Sequence, residues 1–312
     1  MIDKKFKIYI AGHRGFVGNA LFSDMKNKGY NNLITKTKSE LNLLNQTAVL
    51  KFFEEEKPEY VILCAARVGG ILPNSTRPAE FLYENLQIQA NVIHSAYISG
   101  VKKLIFLGSS CIYPRNCPQP MKEEYLFTGD FEPTNYGYGV AKATGIKMCQ
   151  AYRDQYGVNF ISLNPSNLYG PGDNFDEKSS HALAAIIRKC HIAKINNHKE
   201  IPLWGSGSAF REWLFIEDLA DIIEKILNRD DIKESLLNVG YGNDLNMLDL
   251  TKTILKVLDY DCSIKLDPSK PDGMPRKLLD SSKMQNYSLK ANTNLEDGIR
   301  KTYEWFLKNV KV

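Results

Sequence analysis

The stretch Gly12-His13-Arg14-Gly15-Phe16-Val17-Gly18 constrains this chain more than any other. Before it, Phe6 to Ala11 reads as a buried strand. After it comes an amphipathic helix with Val17, Leu21, Phe22 and Met25 on its apolar side, stopping at Gly29. Strand, glycine turn and helix at the first βα junction mark a dinucleotide-phosphate site rather than a plain tight turn. Gly12 permits the turn, Gly15 lets backbone approach a pyrophosphate, and Gly18 lets helix pack on strand. Arg14, Phe16 and Val17 belong to the same cradle.

Alternation continues beyond the turn. A short strand, Asn32–Thr35, precedes a helix from Gln46 to Glu56 and a buried strand from Tyr60 to Ala66. A long helix runs from about Pro78 to Gly100. The strand Lys103–Leu107 follows, and Phe160–Leu163 is a fifth or sixth strand. This order predicts an α/β, Rossmann-type, doubly wound parallel sheet. Small residues at the end of the third strand, Ala65 among them, leave room for a cofactor. A carboxylate at the end of the second strand would hold an NAD ribose. Lys36-Thr37-Lys38 stands there instead, with Arg14 in the glycine loop and Glu40 only later. Three cations suit a 2′-phosphate, so NADP(H) is the expected cofactor.

The chemistry centres on Tyr138 and Lys142, one helical turn apart on one face. An ammonium near a phenol favours phenolate and lowers its pKa toward working pH. Chance spacing is the plain alternative, but Ser109 lies at the carboxyl end of the fourth strand, where such sheets bind ligands. Ser109, Tyr138 and Lys142 form a carbonyl-reduction triad: Ser109 orients the oxygen, Tyr138 protonates it, and Lys142 tunes Tyr138.

On these residues the chain resembles the extended short-chain dehydrogenase/reductase family. More narrowly, it resembles the branch of GDP-4-keto-6-deoxy-D-mannose 3,5-epimerase/4-reductases. The resemblance runs nearly end to end. Its particular stretches are Val68-Gly69-Gly70-Ile71, Leu107 to Pro114, Pro133-Thr134-Asn135, Asn167 to Pro171, Trp204 to Gly207 and Lys270 to Lys277. It implies that Cys111 and His181 are the acid/base pair for epimerisation at C3 and C5. A thiol and an imidazole suit proton exchange near neutral pH. It also implies that Lys189, Arg211 and Lys277 hold GDP phosphates and ribose, with Asn167 and Trp204 lining the sugar or base. The product would be GDP-L-fucose. The alternative is a C4 reductase of a related GDP-6-deoxy-4-keto sugar such as a heptose. The resemblance further implies a homodimer through the long helices at about 78–100 and 138–156. Lys36 and Lys38 replace arginines of relatives, Asn45 replaces an aspartate near the adenine, and Tyr136-Gly137 is not the usual pair.

The 312 residues suit one large or two closely packed domains. The expected division is residues 1–170 with about 212–240 as the NADP-binding domain. A smaller, discontinuous α/β nucleotide-sugar domain takes about 171–211 with 241–312, the crossing falling at Asn164 to Gly172. Net charge is +4 without a basic block, which argues against nucleic acid. No apolar run approaches the ~18 residues of a membrane span. Six scattered cysteines never form Cys-x-x-Cys, and no export signal precedes the first strand. Free thiols, no metal-binding set and a cytoplasmic location are therefore expected.

Overall fold

The computed structural model describes residues 2–177, 179–270 and 272–312. The first half runs β1 (Ile8–Ala11), α1 (Phe16–Asn27), β2 (Leu33–Ile34), α2 (Gln46–Glu56), β3 (Tyr60–Leu63), α3 (Ile71–Thr76), α4 (Pro78–Ile98), β4 (Lys103–Leu107), α5 (Tyr136–Tyr156) and β5 (Asn159–Pro165). The second half runs β6 (Asn167–Tyr169), α6 (Ala182–Ile195), β7 (Glu200–Trp204), β8 (Phe210–Phe215), α7 (Ile216–Leu227), β9 (Leu236–Val239), β10 (Asp244–Asn246), α8 (Met247–Val257), β11 (Ser263–Asp267), β12 (Arg276–Lys277), α9 (Ser282–Gln285) and α10 (Leu295–Asn309).

The main sheet has the order β2-β1-β3-β4-β5-β9, every pair parallel. Both its faces are covered, so its strands are largely apolar, with Lys103, Ser162, Asn164 and Asn238 as buried polar exceptions. Ile8 and Ile10 face a core shared with Leu21 and Met25 of α1 and Leu219, Ile222 and Ile226 of α7. Tyr9 and Ala11 face the opposite core, with Val49 and Phe53 of α2, Val92 of α4 and Ile146 of α5. Winding reverses between β1 and β3, which opens a crevice at their carboxyl ends. A third core lies under the smaller lobe and joins Leu183, Ile187, Trp213, Phe215, Ile254 and Phe306.

The expectation that the chain rejoins the sheet near residue 212 needs correction. Strand β8 belongs to a second sheet, antiparallel to β10 and parallel to β6 and β12. Trp213 packs into the third core, so only α7 and β9 return to the main sheet. The tail also crosses back. Met121 N–H donates to Leu278 O at 2.7 Å and Asp280 N–H to Met121 O at 2.8 Å. Leu279, Met284 and Leu289 fill the main cores.

Glu212 ties the seam together. It is fully buried, and its carboxylate accepts N–H bonds from Gly242 (2.7 Å) and Leu279 (3.0 Å). Burial raises its pKa from 4.5 to about 7, against the pull of those backbone donors. Asp173 is likewise raised to about 7, chiefly by burial. A raised carboxyl binds its proton more tightly in the folded state than in the unfolded chain. Through that window the unfolded state binds fewer protons, so stability falls as pH rises. Thermal midpoints of the wild type should therefore decline from about pH 5 to about pH 7.5. In Glu212→Gln the decline should be shallower, and equal slopes for the two proteins would contradict this role.

Candidate active site

The crevice begins at the β1–α1 turn. Gly12 has φ 91°, and a Cβ there would lie 2.7 Å from Ala65 N; at Gly18 it would lie 2.2 Å from Gly12 O. Both glycines are therefore required by close approach. Gly15 caps α1 without a side-chain bond, and no acid occupies the first turn. A Cβ on Gly15 would meet only Gly12 O, at 3.4 Å. The N–H groups opening the helix, at Phe16 and Val17, are thus left for an anion. This cradle fits a dinucleotide diphosphate.

At the end of β2, Arg14 and Lys38 are exposed, while Lys36 pairs with Glu56 at 3.4 Å and lies over the Phe52 ring. Glu40, late in sequence, is not remote in space. Its carboxylate accepts from Thr37 Oγ1 (2.6 Å) and Thr37 N (2.7 Å). Those bonds hold it below the ordinary carboxylate range, helped by Lys36 and Arg14 nearby. The basic site thus contains an acid, which opposes a 2′-phosphate. Glu40→Gln should lower KM for NADPH by roughly two- to fivefold and leave KM for NADH nearly unchanged. An equal change for both cofactors would contradict this placement. Asn45 serves as the N-cap of α2, accepting from Ala48 N at 3.0 Å.

Ser109 leaves β4 and caps a short 3₁₀ turn, Ser110–Ile112, its Oγ accepting from Cys111 N at 3.3 Å. Helix α5 starts unusually close to this turn. A Cβ on Gly139 would lie 2.6 Å from Cys111 O, and one on Gly137 would lie 2.5 Å from Pro78 O. The unusual Tyr136-Gly137 pair thus answers a packing demand between α4 and α5. Tyr138 sits on this first turn beside Ser109 and Cys111.

Burial pushes the Tyr138 phenol well above its ordinary 10; Cys111 adds to the shift and the Ser109 hydroxyl opposes it. The depression expected from Lys142 is therefore not found in the polypeptide. Lys142 Nζ lies 6.0 Å from the Tyr138 ring centroid and donates to Leu107 O at 2.7 Å. Tyr138 stays protonated across the working range, the state a proton donor needs. Burial lowers Lys142 itself from 10.5 to about 8. Its ammonium is present below that pH and lost above it, so the rate of reduction should fall with an apparent pKa near 8. The folded state binds fewer protons than the unfolded between about 8 and 10.5, so stability rises there while rate falls. The rate loss is then not unfolding. In Lys142→Arg any residual activity should lose this alkaline limb, because a guanidinium stays charged.

The Cys111 sulfur faces Asn135 Nδ2 at 3.3 Å and Lys277 Nζ at 3.5 Å. His181 occupies the N-cap position of α6. It is open to solvent on one side, yet enclosure by the protein lowers its pKa below 6.5. Among the described residues, no hydrogen bond links it to Ser109, Cys111 or Tyr138.

The other candidates separate into two groups. Trp204 is 60% exposed and flanked by Lys189 Nζ at 5.1 Å and Lys270 Nζ at 5.6 Å from its ring centroid. Arg211 donates to Phe210 O (2.7 Å) and Asp272 O (3.1 Å). Asn167 Nδ2 donates to Glu212 O at 2.8 Å, which makes it a link between β6 and β8. Lys277 pairs with Arg211 across β12 and β8 and places its Nζ at the Cys111 sulfur. Sequence reasoning missed Asn135 as a sulfur contact, although its Pro-Thr-Asn motif was visible. Of the Lys270 to Lys277 stretch, Pro271 lies outside the described residues.

A Rossmann-type sheet with a glycine turn fit for a diphosphate, and with Ser109, Tyr138 and Lys142 gathered at the strand ends, is the architecture of a nicotinamide-dependent oxidoreductase. The NAD dependent epimerase/dehydratase family matches residues 8–240, and the chain belongs to that family. It is 50% identical over 310 residues to GDP-L-fucose synthase 1 of Arabidopsis thaliana, covering 99% of this chain and 96% of the relative. GDP-L-fucose synthase of Escherichia coli (strain K12) is 44% identical over 313 residues, covering 98% of each. Among solved structures, a GDP-D-glycero-L-gluco-heptose synthase from Campylobacter jejuni, crystallised in the presence of NADPH, superposes with TM-score 0.92. It is 38% identical and 99% of each chain is covered.

Proposed function

We propose that this enzyme converts GDP-4-keto-6-deoxy-D-mannose to GDP-L-fucose by C3/C5 epimerisation and NADPH-dependent reduction at C4. The observation that carries this reading is the near-full-length likeness to GDP-L-fucose synthases, at 50% identity against 38% for the heptose synthase. The crowding of Cys111, Ser109 and Tyr138 at one strand end agrees with it.

Gly12, Gly15 and Gly18 with the start of α1 would hold the cofactor diphosphate, with Ala65 across the crevice. Arg14, Lys36 and Lys38 would face its 2′-phosphate. NADPH, when bound, supplies the hydride for C4. Protons at C3 and C5 are acidified by the C4 ketone. Cys111 and His181 exchange them, one as base and the other as acid on opposite faces of the ring. Removing a C–H proton leaves an enolate whose oxygen Tyr138 and Ser109 steady. Tyr138 then gives its proton to the C4 oxygen as the alcohol forms. Trp204, Lys189 and Arg211 would receive the GDP portion.

The larger lobe, the β2-β1-β3-β4-β5-β9 sheet with its helices, would bind NADP(H). The smaller lobe would bind the nucleotide sugar. We further propose a homodimer built on α4 and α5, which expose Tyr83, Ile98, Tyr136 and Tyr156. A cytoplasmic site of action fits six free thiols and the lack, among the described residues, of a helix long and apolar enough to cross a membrane.

The test is one incubation of the enzyme with GDP-4-keto-6-deoxy-D-mannose and NADPH in D₂O. Loss of nicotinamide absorbance with deuterium at C3 and C5 of the product is expected. Oxidation without deuterium means a pure reductase. No oxidation means another sugar, and the GDP-heptose analogues come next.

A further inference from the structure

We propose that Lys277 serves the base rather than the nucleotide: it is the cation that holds the Cys111 sulfur in its anionic, proton-accepting form. The inference rests on the epimerase reading above and deepens it.

Of the three cations expected at the diphosphate, Lys277 and Arg211 are neighbours across β12 and β8, and Lys189 stands apart. Lys189 lies beside Trp204, and Arg211 is turned to the carbonyls of Phe210 and Asp272. Of these three cations Lys277 alone donates to sulfur, with Nζ 3.5 Å from Cys111 Sγ, while Arg211 adds positive charge nearby. Asn135 Nδ2 approaches the same sulfur at 3.3 Å, so two donors converge on it.

The backbone around Lys277 is anchored on both sides. Lys277 pairs with Arg211 across the β12–β8 ladder. Arg276 is clamped by Asp244 through two bonds of 2.6 and 3.0 Å. Leu278 N–H donates to Gln119 Oε1 at 3.0 Å, and Leu279 N–H to buried Glu212 at 3.0 Å. A side chain with four rotatable bonds gains precision from such anchoring.

The sulfur, as thiolate, takes a proton from carbon beside the ketone and becomes a thiol. The C–H electron pair forms the enolate, and the negative charge moves to the C4 oxygen beside Tyr138 and Ser109. Lys277 neither gives nor takes a proton in this step. It stabilises the anion before proton transfer; His181 then gives a proton to the opposite face of the carbon, and the pair is restored when the Cys111 thiol loses its proton to water and His181 regains one.

The experiment compares wild type, Lys277→Met and Lys277→Arg with the full chain. It reads three quantities: iodoacetamide alkylation of Cys111 at pH 7, located by peptide mass; GDP affinity by calorimetry; and deuterium exchange into GDP-4-keto-6-deoxy-D-mannose without NADPH. For Lys277→Met, alkylation should slow about tenfold or more and exchange should fall with it, while GDP affinity changes less than about threefold. Lys277→Arg should recover most of the alkylation rate, and added ethylamine should restore part of the exchange in Lys277→Met. Unchanged alkylation with GDP affinity weakened tenfold would overturn the proposal and return Lys277 to the diphosphate. If both variants lose NADPH binding, Asn135→Ala replaces them, and alkylation as fast as wild type there would count against the paired-donor site. If wild type shows no exchange with this sugar, the epimerase reading fails. The alkylation comparison still decides whether Lys277 controls Cys111.

Discussion

Tyr138→Phe should lower kcat for reduction by ~10²–10⁴-fold, the usual worth of a positioned proton donor. The ring stays and only the hydroxyl beside Ser109 goes, so NADPH affinity should change by less than about threefold. Exchange at C3 and C5 should fall less than reduction, because the enolate keeps Ser109 as a donor. Nicotinamide absorbance at saturating substrate measures the first effect and NMR the second. A loss of reduction below about tenfold would place the proton donor elsewhere.

Gly18→Ala carries the second large effect. The added methyl would lie 2.2 Å from Gly12 O and 2.9 Å from His13 Cα, all backbone that cannot swing aside. The β1–α1 turn must open, which costs about 3 kcal/mol in overpacking and shifts the thermal midpoint down by roughly 5 °C. The N–H groups of α1 then move off the diphosphate, and Kd for NADPH should rise on the order of 100-fold. Calorimetry with NADPH and a thermal melt together check this. Gly15→Ala is the internal control, since a Cβ there meets only one atom at 3.4 Å. Its stability should change little.

Strands β1, β3, β4 and β5 were legible because they are buried on both faces and so read as largely apolar runs. The boundaries of α2 and β4 agree with the expected ones to the residue. The glycine turn was legible because close approach leaves only one residue type possible. Strand β8 was not. Its Trp213-Leu214-Phe215 run is as apolar as a strand of the main sheet, and periodicity does not name the partner strand. Lys277 and Lys189 look alike in sequence, both surface-type lysines near the supposed diphosphate. Their separation depends on β12 pairing with β8, a contact spanning more than sixty residues. The Tyr138 shift was misread for a related reason. Spacing shows that Lys142 is one turn away, while the desolvation that dominates comes from elements elsewhere in the chain.

The late position of β9 has a consequence during synthesis. Strand β5 is complete at residue 165, but its outer neighbour covers Leu236 to Val239. A nascent chain emerging from the ribosome therefore carries an open, apolar, parallel edge until some seventy further residues have been translated. The apolar face that receives α7 is bare for nearly as long. Translation pausing within α6 or β7 should yield aggregation-prone fragments, and holdase chaperones should engage this chain before residue 239 more than after it.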